Sequence, residues 1–186
     1  MIYLSKPFLR GECNNYMNLN LGCGEKEIPN FIGVDKIKTN ATDIIHNLNV
    51  FPYPFPDNSA QEVVMDNILE HLDDVIAVME EVYRLSKHGA TLKINVPYFK
   101  SNSAFTDPTH KHFFSETSFK YFSEKNSLHF YTKAKFEVKN IKLISHSKYR
   151  DVKHFFRNLL PLKKILNYFL FNIYDEISFE LKCIKK

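Results

Sequence analysis

Two clusters of residues have types and spacing suited to chemistry. The first is the stretch MNLNLGCGEKEIPNFIGVD, residues 17 to 35, in which Gly22 and Gly24 flank Cys23 behind one short apolar run and Asp35 closes a second. Glycines at such a place let the backbone turn sharply and approach a ligand that a Cβ would repel. A carboxylate ending the next apolar run can accept two hydrogen bonds from a ribose diol. The second cluster is DPTHKHFF, with Asp107, His110 and His112, and His71 lies upstream of it in LEHLDD. Imidazole has an ordinary pKa suited to proton transfer near neutrality, so His71, His110 and His112 are the candidate bases for an acceptor hydroxyl.

The glycine stretch excludes two common phosphate binders. A dinucleotide fingerprint wants a third glycine and an acidic residue farther along, and a P-loop wants Gly-Lys-Ser/Thr. Neither pattern is present, and Glu25 and Glu27 would repel a pyrophosphate. The residues therefore point to a nucleoside ligand without a phosphate chain. Cys23 has no activating base beside it in sequence and reads as a small packing residue. Asp107, His110 and His112 admit a substrate-facing role, hydrogen-bonded loop structure, or a metal site, because alternate residues of an extended segment share a face. No metal is assigned. Tyr98 and Phe99 supply an apolar wall beside them.

These residues need a scaffold that brings them to one edge. The chain has 186 residues, 44% of them hydrophobic, which suits one domain with a sizeable core. Lys plus Arg exceed Asp plus Glu by 25 − 21 = 4, too small an excess to argue for nucleic acid. Cys13, Cys23 and Cys183 lack CxxC spacing, which argues against a disulfide framework or a zinc site and for a reducing, cytoplasmic compartment. The opening residues lack the apolar core of a signal peptide, and no run approaches the ~20 apolar residues of a membrane span.

Periodicity sets out the elements. Residues 17–21, 31–34, 43–46 and 62–65 read as short buried strands, and Pro52, Pro54 and Pro56 keep the segment between the last two extended. Leu72, Val75, Ile76, Met79, Val82 and Leu85 recur at helical spacing, with Asp73 as N-cap and Gly89 at the stop. A fifth strand over 91–96 ends at Pro97. A short helix over 115–122, a strand over 136–144 and a half-exposed strand over 177–183 follow. Between the last two, Leu162, Ile165, Leu166, Phe169, Leu170 and Ile173 form an apolar stripe behind Pro161. Alternating strands and helices imply an open α/β sheet, which binds ligands at the carboxyl ends of its strands.

With the elements in place, LNLGCG, FIGVD, PFPDNSAQEV, LEHLDD, EVYRLSKHGATLKINVP and DPTHKHFF together resemble the class I S-adenosylmethionine-dependent methyltransferases, and among them the small, uncharacterised predicted methyltransferases. The resemblance covers residues 17–122 and the final strand. It implies a Rossmann-like fold, mostly parallel with an antiparallel final strand, and S-adenosylmethionine as cofactor. It also implies that Leu21, Gly22, Cys23 and Gly24 face the methionine part and Asp35 the ribose. Asn47 and Leu48 would meet adenine, Asp66 and Asn67 would line the cofactor, and His71 would lie near the sulfonium. The sequence departs from the family pattern in three places. Asn20 replaces an acidic residue for which Glu12 or Glu25 would stand in, Asn47 replaces an aspartate, and the first crossover is shortened to residues 25–30.

One methyltransferase-like domain is expected, with a cofactor half over 17–97, substrate-side loops and helices over 98–175 and a final strand over 176–184. The expected reaction is methyl transfer to a small-molecule or glycan-like acceptor, at oxygen, with His71, His110, His112 and Asp107 as catalytic candidates. Two alternatives stand beside it: a nucleic-acid methyltransferase, which the absence of an RNA-binding motif disfavours, and a non-enzymatic interaction protein working through basic carboxyl-terminal helices. There Lys148, Arg150, Lys153, Arg157, Lys163 and Lys164 accompany the apolar stripe. The main reading packs that helix on the domain; the others are a peripheral membrane contact, a cover for an anionic substrate, or a dimer contact.

Overall fold

The computed structural model describes residues 16–127, 129–146, 157 and 159–185. Seven strands form one sheet. They are β1 (Met17–Leu21), β2 (Ile32–Asp35), β3 (Ile44–Ile45), β4 (Ala60–Asp66), β5 (Ser86–Pro97), β6 (Phe136–Ile144) and β7 (Glu176–Cys183), in the order β3-β2-β1-β4-β5-β7-β6. β1 to β5 pair in parallel, and β7 runs antiparallel to both neighbours. The mostly parallel α/β sheet with a reversed final strand is thus the fold expected from the sequence. The link from β1 to β2 carries no helix, as its short, proline-containing sequence predicts.

The central strands are apolar because both faces are covered. Leu19, Val63, Leu92, Ile94, Ile177 and Leu181 have no exposed surface. On one side α1 (Val75–Leu85) packs with Val78, Met79, Val82 and Leu85, each fully buried. Elsewhere a chain of aromatic rings fills the space over β7 and the start of β6. Phe119 lies 4.6 Å from Phe179 and 6.2 Å from Phe122, which in turn is 6.2 Å from Phe136. The proline-rich segment is clamped to α1, since Glu81 accepts the Tyr53 amide and Arg84 donates to the carbonyls of Tyr53 and Phe55.

Several boundaries differ from the periodicity. Asp74, not Asp73, caps α1, its Oδ1 accepting from the amides of Ile76 and Ala77 at 2.9 and 3.0 Å. The helix ends at Leu85, four residues before Gly89, whose positive φ of 78° instead serves the irregular start of β5. The helix expected over 115–122 is a 3-10 turn over Ser118–Phe122.

The largest difference concerns the carboxyl-terminal stripe. α3 (Lys163–Phe169; α2 is Ser103–Thr106) is short, and its apolar side chains point outward: Leu162, Ile165, Tyr168 and Phe169 are 69%, 53%, 81% and 82% exposed. Its buried residue is Asn167, whose amide donates to the Tyr98 hydroxyl at 2.9 Å. Ile173 at the end of the stripe, 4% exposed, reaches the core, and polar anchors attach the rest of the region. Arg157 makes two bonds to the Asp175 carboxylate at 2.7 and 2.6 Å, and Lys100 donates to the Asn167 carbonyl at 2.7 Å. Lys148, Arg150 and Lys153 lie outside the described residues. Among the described residues no helix is long and apolar enough to cross a membrane.

Candidate functional site

The carboxyl ends of β1, β2, β4 and β5 come to one edge of the sheet, and there the glycine stretch is built from backbone hydrogen bonds. The Gly22 and Cys23 amides donate to the Val34 carbonyl at 2.8 and 3.1 Å, and the Gly24 amide donates to Asp35 Oδ2 at 2.9 Å. Gly22 and Gly24 both take positive φ, 73° and 50°, which glycine adopts without strain. A Cβ on Gly22 would overlap the Ile68 side chain, whereas one on Gly24 would meet nothing within 4 Å. One glycine thus permits close packing and the other leaves room at the loop's mouth. Asp35 Oδ1 accepts the Ile37 amide at 3.0 Å, which fixes the carboxylate and leaves lone pairs for a diol.

Asn20, where a carboxylate was the family expectation, is buried and donates through Nδ2 to the Lys26 carbonyl at 2.9 Å. A carboxylate could not make that bond, so the departure from the family pattern tethers the loop. Lys26 reaches across to form an ion pair with Asp66, which also accepts from Asn95 Nδ2 at 3.1 Å. Of the two suggested stand-ins for the missing charge, Glu25 is exposed and Glu12 lies outside the described residues.

The expected cofactor residues divide by what they can offer. Asp35, Asn47, Asp66 and Asn67 present polar groups at the edge. Leu21, Cys23 and Leu48 are 0%, 3% and 4% exposed, so their side chains pack beneath the edge and do not face a ligand. The Cys23 thiol sits 3.5 Å from the Ala41 carbonyl, and burial raises its pKa, so it packs and is not a nucleophile. The Asp35 carboxylate, two amides and an open glycine offer hydrogen-bonding groups that fit a nucleoside, while Asp66 is already paired with Lys26.

The second cluster is built from side chains. After β4, a 3-10 turn over Leu69–His71 carries Glu70, which is 1% exposed and has no hydrogen-bond partner on either carboxylate oxygen. The histidine loop folds over this turn. The Lys111 and His112 amides donate to the Glu70 carbonyl at 2.8 and 3.3 Å, and His112 Nε2 donates to the Leu72 carbonyl at 2.9 Å. His110 Nδ1 donates to the Ala104 carbonyl at 2.9 Å, which turns Nε2 toward Glu70 Oε1 at 3.9 Å, too far for a hydrogen bond. The Thr109 hydroxyl donates to Asp107 Oδ1 at 2.7 Å and therefore accepts from His71 Nδ1 at 2.8 Å. The His71 and His110 rings lie 4.7 Å apart.

Burial pushes the Glu70 carboxyl up to about 7, and it holds His71 below the ordinary imidazole value, with His110 adding to the effect. Asp107 is held low by the hydroxyl and amide of Thr109.

This arrangement corrects two expectations. Asp107, His110 and His112 do not converge, because Asp107 is committed to Thr109 and His112 to the Leu72 carbonyl. The set that does converge is Glu70, His71 and His110, whose ligand atoms all lie within 4.8 Å of one another. Tyr98 is no wall residue. It is 1% exposed, and its hydroxyl donates to Glu116 and accepts from Asn167. Glu70 escaped the sequence reading. The available signal was a carboxylate inside the apolar run Ile68, Leu69 and Leu72, a position that costs free energy without a partner.

A cleft of 640 Å³ opens beside the loop, bordered by Asp107, Pro108, His146 and Glu176. Glu176 reaches this edge because β7 is reversed, and it accepts from Asn67 Nδ2 at 3.4 Å. A larger cleft of 830 Å³, near Arg84 and Lys185, lies at the opposite edge of the sheet and contains none of these residues.

Comparison with known proteins agrees with this geometry. A family profile described as a methyltransferase domain matches residues 28–94. Among solved structures, the chain is similar to an S-adenosylmethionine-dependent methyltransferase from Archaeoglobus fulgidus, with 18% identity, 90% of this chain and 86% of that one covered, and a TM-score of 0.61. It is similar to another from Mesorhizobium loti, with 12% identity, 94% of each chain covered and a TM-score of 0.56. It is also similar to a Haloferax volcanii complex between the Trm112 methyltransferase activator and a proposed methyltransferase, with 13% identity, 92% and 84% covered and a TM-score of 0.60. At such identities the likeness is one of fold. No curated protein matches the sequence.

Proposed function

We propose that this protein is a class I S-adenosylmethionine-dependent methyltransferase that methylates a hydroxyl group of a small-molecule or glycan-like acceptor bound over the histidine loop. The observation that carries the reading is Glu70: a buried carboxyl without a hydrogen-bond donor, beside two histidines, at the edge where the glycine loop and Asp35 also lie. A purely structural carboxyl would have its oxygens satisfied. Residues 17–97 would serve the cofactor and 98–175 the acceptor, within one domain.

In this reading Asp35 holds the ribose diol. The backbone of Leu21 to Gly24 follows the methionine part, Asn47 and the Leu48 backbone meet adenine, and Asp66 and Asn67 close the cofactor's side of the cleft. S-adenosylmethionine supplies a methyl group on a sulfonium, which an acceptor oxygen takes by in-line displacement while the bonding pair leaves with sulfur. The protein's share is alignment, exclusion of water and a destination for the hydroxyl proton. His71 and His110 suit the last task, since each has Nδ1 engaged as a donor and Nε2 left as an acceptor.

The exposed side chains of α3, with Lys163 and Lys164 beside them, support a peripheral contact with an anionic membrane surface, where apolar residues enter the interface and lysines meet headgroups.

Calorimetric titration with S-adenosylmethionine and S-adenosylhomocysteine, using Asp35→Ala as the control, tests the cofactor half. Methyl transfer to sugars and sugar nucleotides tests the acceptor. Binding that Asp35→Ala abolishes, followed by O-methylated product, is the expected result. A folded protein that binds neither compound refutes the reading.

A further inference from the structure

We propose that Glu70, His71 and His110 form a binding site for one first-row divalent transition-metal ion, such as Mn²⁺ or Zn²⁺, where the histidine loop folds over the turn after β4. The inference rests on the O-methyl-transfer reading and gives it a means of activating the hydroxyl.

Three independent features converge on it. The ligand atoms lie within 4.8 Å of one another, and His110 Nε2 stands 3.9 Å from Glu70 Oε1. A cation held about 2.0–2.2 Å from each needs donors roughly 3–4 Å apart, so small rotamer changes complete the set. Glu70 is 1% exposed and both its oxygens lack a donor, an arrangement that a bound cation resolves.

The third feature is the orientation of the histidines. His110 Nδ1 donates to the Ala104 carbonyl, and His71 Nδ1 donates to the Thr109 hydroxyl, which itself donates to Asp107. Both rings therefore present a bare Nε2 lone pair to the shared space. Outer carbonyl and carboxylate partners that fix the tautomer and aim of a ligating imidazole are the usual second layer of a metal site. His112, by contrast, spends its Nε2 on the Leu72 carbonyl and takes no part.

Two imidazoles and one carboxylate select among cations. All-oxygen coordination suits Mg²⁺ and Ca²⁺, whereas a mixed nitrogen and oxygen set suits Mn²⁺, Fe²⁺, Co²⁺ or Zn²⁺. Three protein ligands leave further coordination positions, and the half-buried His71 marks the side from which an acceptor hydroxyl would approach. Coordination would lower the pKa of that hydroxyl, and with both Nε2 lone pairs on the ion its proton would pass to water instead of to a histidine.

The test uses the full chain, stripped with a chelator and titrated with Co²⁺, with visible d–d absorption and calorimetry as readouts. The same preparations are titrated with S-adenosylhomocysteine. The expected result is one Co²⁺ per chain. Its affinity should fall at least tenfold in Glu70→Gln and in His110→Ala, about tenfold in Thr109→Val, and remain unchanged in His112→Gln. His71→Asn gives the answer if Glu70→Gln does not fold. Absence of d–d absorption, or Co²⁺ binding that Glu70→Gln and His71→Asn leave unaltered, overturns the site. S-adenosylhomocysteine binding by the stripped protein separates the two failures. If it persists without a cation site, only this inference falls; if it is also absent, the methyltransferase reading falls with it.

Discussion

The two halves of the candidate site are made in different ways. At the glycine loop, positions are set by main-chain bonds between strands already in register: Gly22 and Cys23 to Val34, and Gly24 to the carboxylate that ends β2. At the histidine loop, positions are set by side chains that reach carbonyls, His112 to Leu72 across 40 residues and His110 to Ala104 six residues before it. The first half needs only glycines, an aspartate and the sheet, so it suits a ligand common to many proteins. The second depends on the identity of each residue, and there acceptor choice can be written without disturbing the first.

The comparison can be broken at either half. The largest effect is expected at the glycine loop. Asp35→Ala removes the carboxylate proposed to hold the ribose diol and should weaken S-adenosylhomocysteine by about 3 kcal/mol or more, a hundredfold or greater loss in a calorimetric titration. Retained affinity would mean that the loop is not where the nucleoside sits.

Glu70→Gln acts on the other half and should abolish turnover while leaving S-adenosylhomocysteine affinity intact. It also carries a stability signature in chelator-stripped protein. Burial raises the folded-state pKa of Glu70 to about 7 from an ordinary 4.5, so the native state holds a proton that the unfolded chain has lost between those values. Stability therefore falls as pH rises through this window, by an amount on the order of 2–3 kcal/mol. Glu70→Gln should raise the unfolding midpoint at pH 8 and leave it unchanged near pH 4, as thermal melts would show. Equal effects at both pH values would mean that the carboxyl is not buried as described.

Smaller changes sharpen the division. Thr109→Val frees His71 from its outer partner and should lower kcat about tenfold without affecting cofactor affinity. A parallel loss of cofactor affinity would show that the halves are coupled. The smallest effect is expected on stability at α3. Phe169→Ser, 82% exposed, should change the unfolding free energy by about 0.5 kcal/mol or less, against about 2–5 kcal/mol for Met79→Ala in α1. The same Phe169→Ser should weaken binding to anionic vesicles in a sedimentation assay.

The two helices also show how far the sequence could be read. Both carry apolar residues at helical spacing, yet α1 buries Val78, Met79, Val82 and Leu85 while α3 exposes Ile165 and Phe169. Periodicity reports that a helix has an apolar face and says nothing of what covers it. The strands, the missing first crossover helix and the glycine loop were legible because local sequence determines them. The convergence of Glu70, His71 and His110 was not, because it depends on a loop some 40 residues downstream folding back over the turn after β4. The same distance explains why His112, alternate to His110 in an extended stretch, could not be separated from it before the Leu72 carbonyl was seen.

The reversed β7 has a consequence for how the protein reaches its native state. Glu176 meets Asn67 only across 109 residues of sequence, and β7 must insert between β5 and β6 before that contact exists. Pairings of such separation form slowly, after the local and parallel contacts of the first five strands. During refolding, the ability to bind the nucleoside should therefore return in an earlier kinetic phase than the ability to turn over an acceptor, with an interval in which the chain holds cofactor and cannot use it.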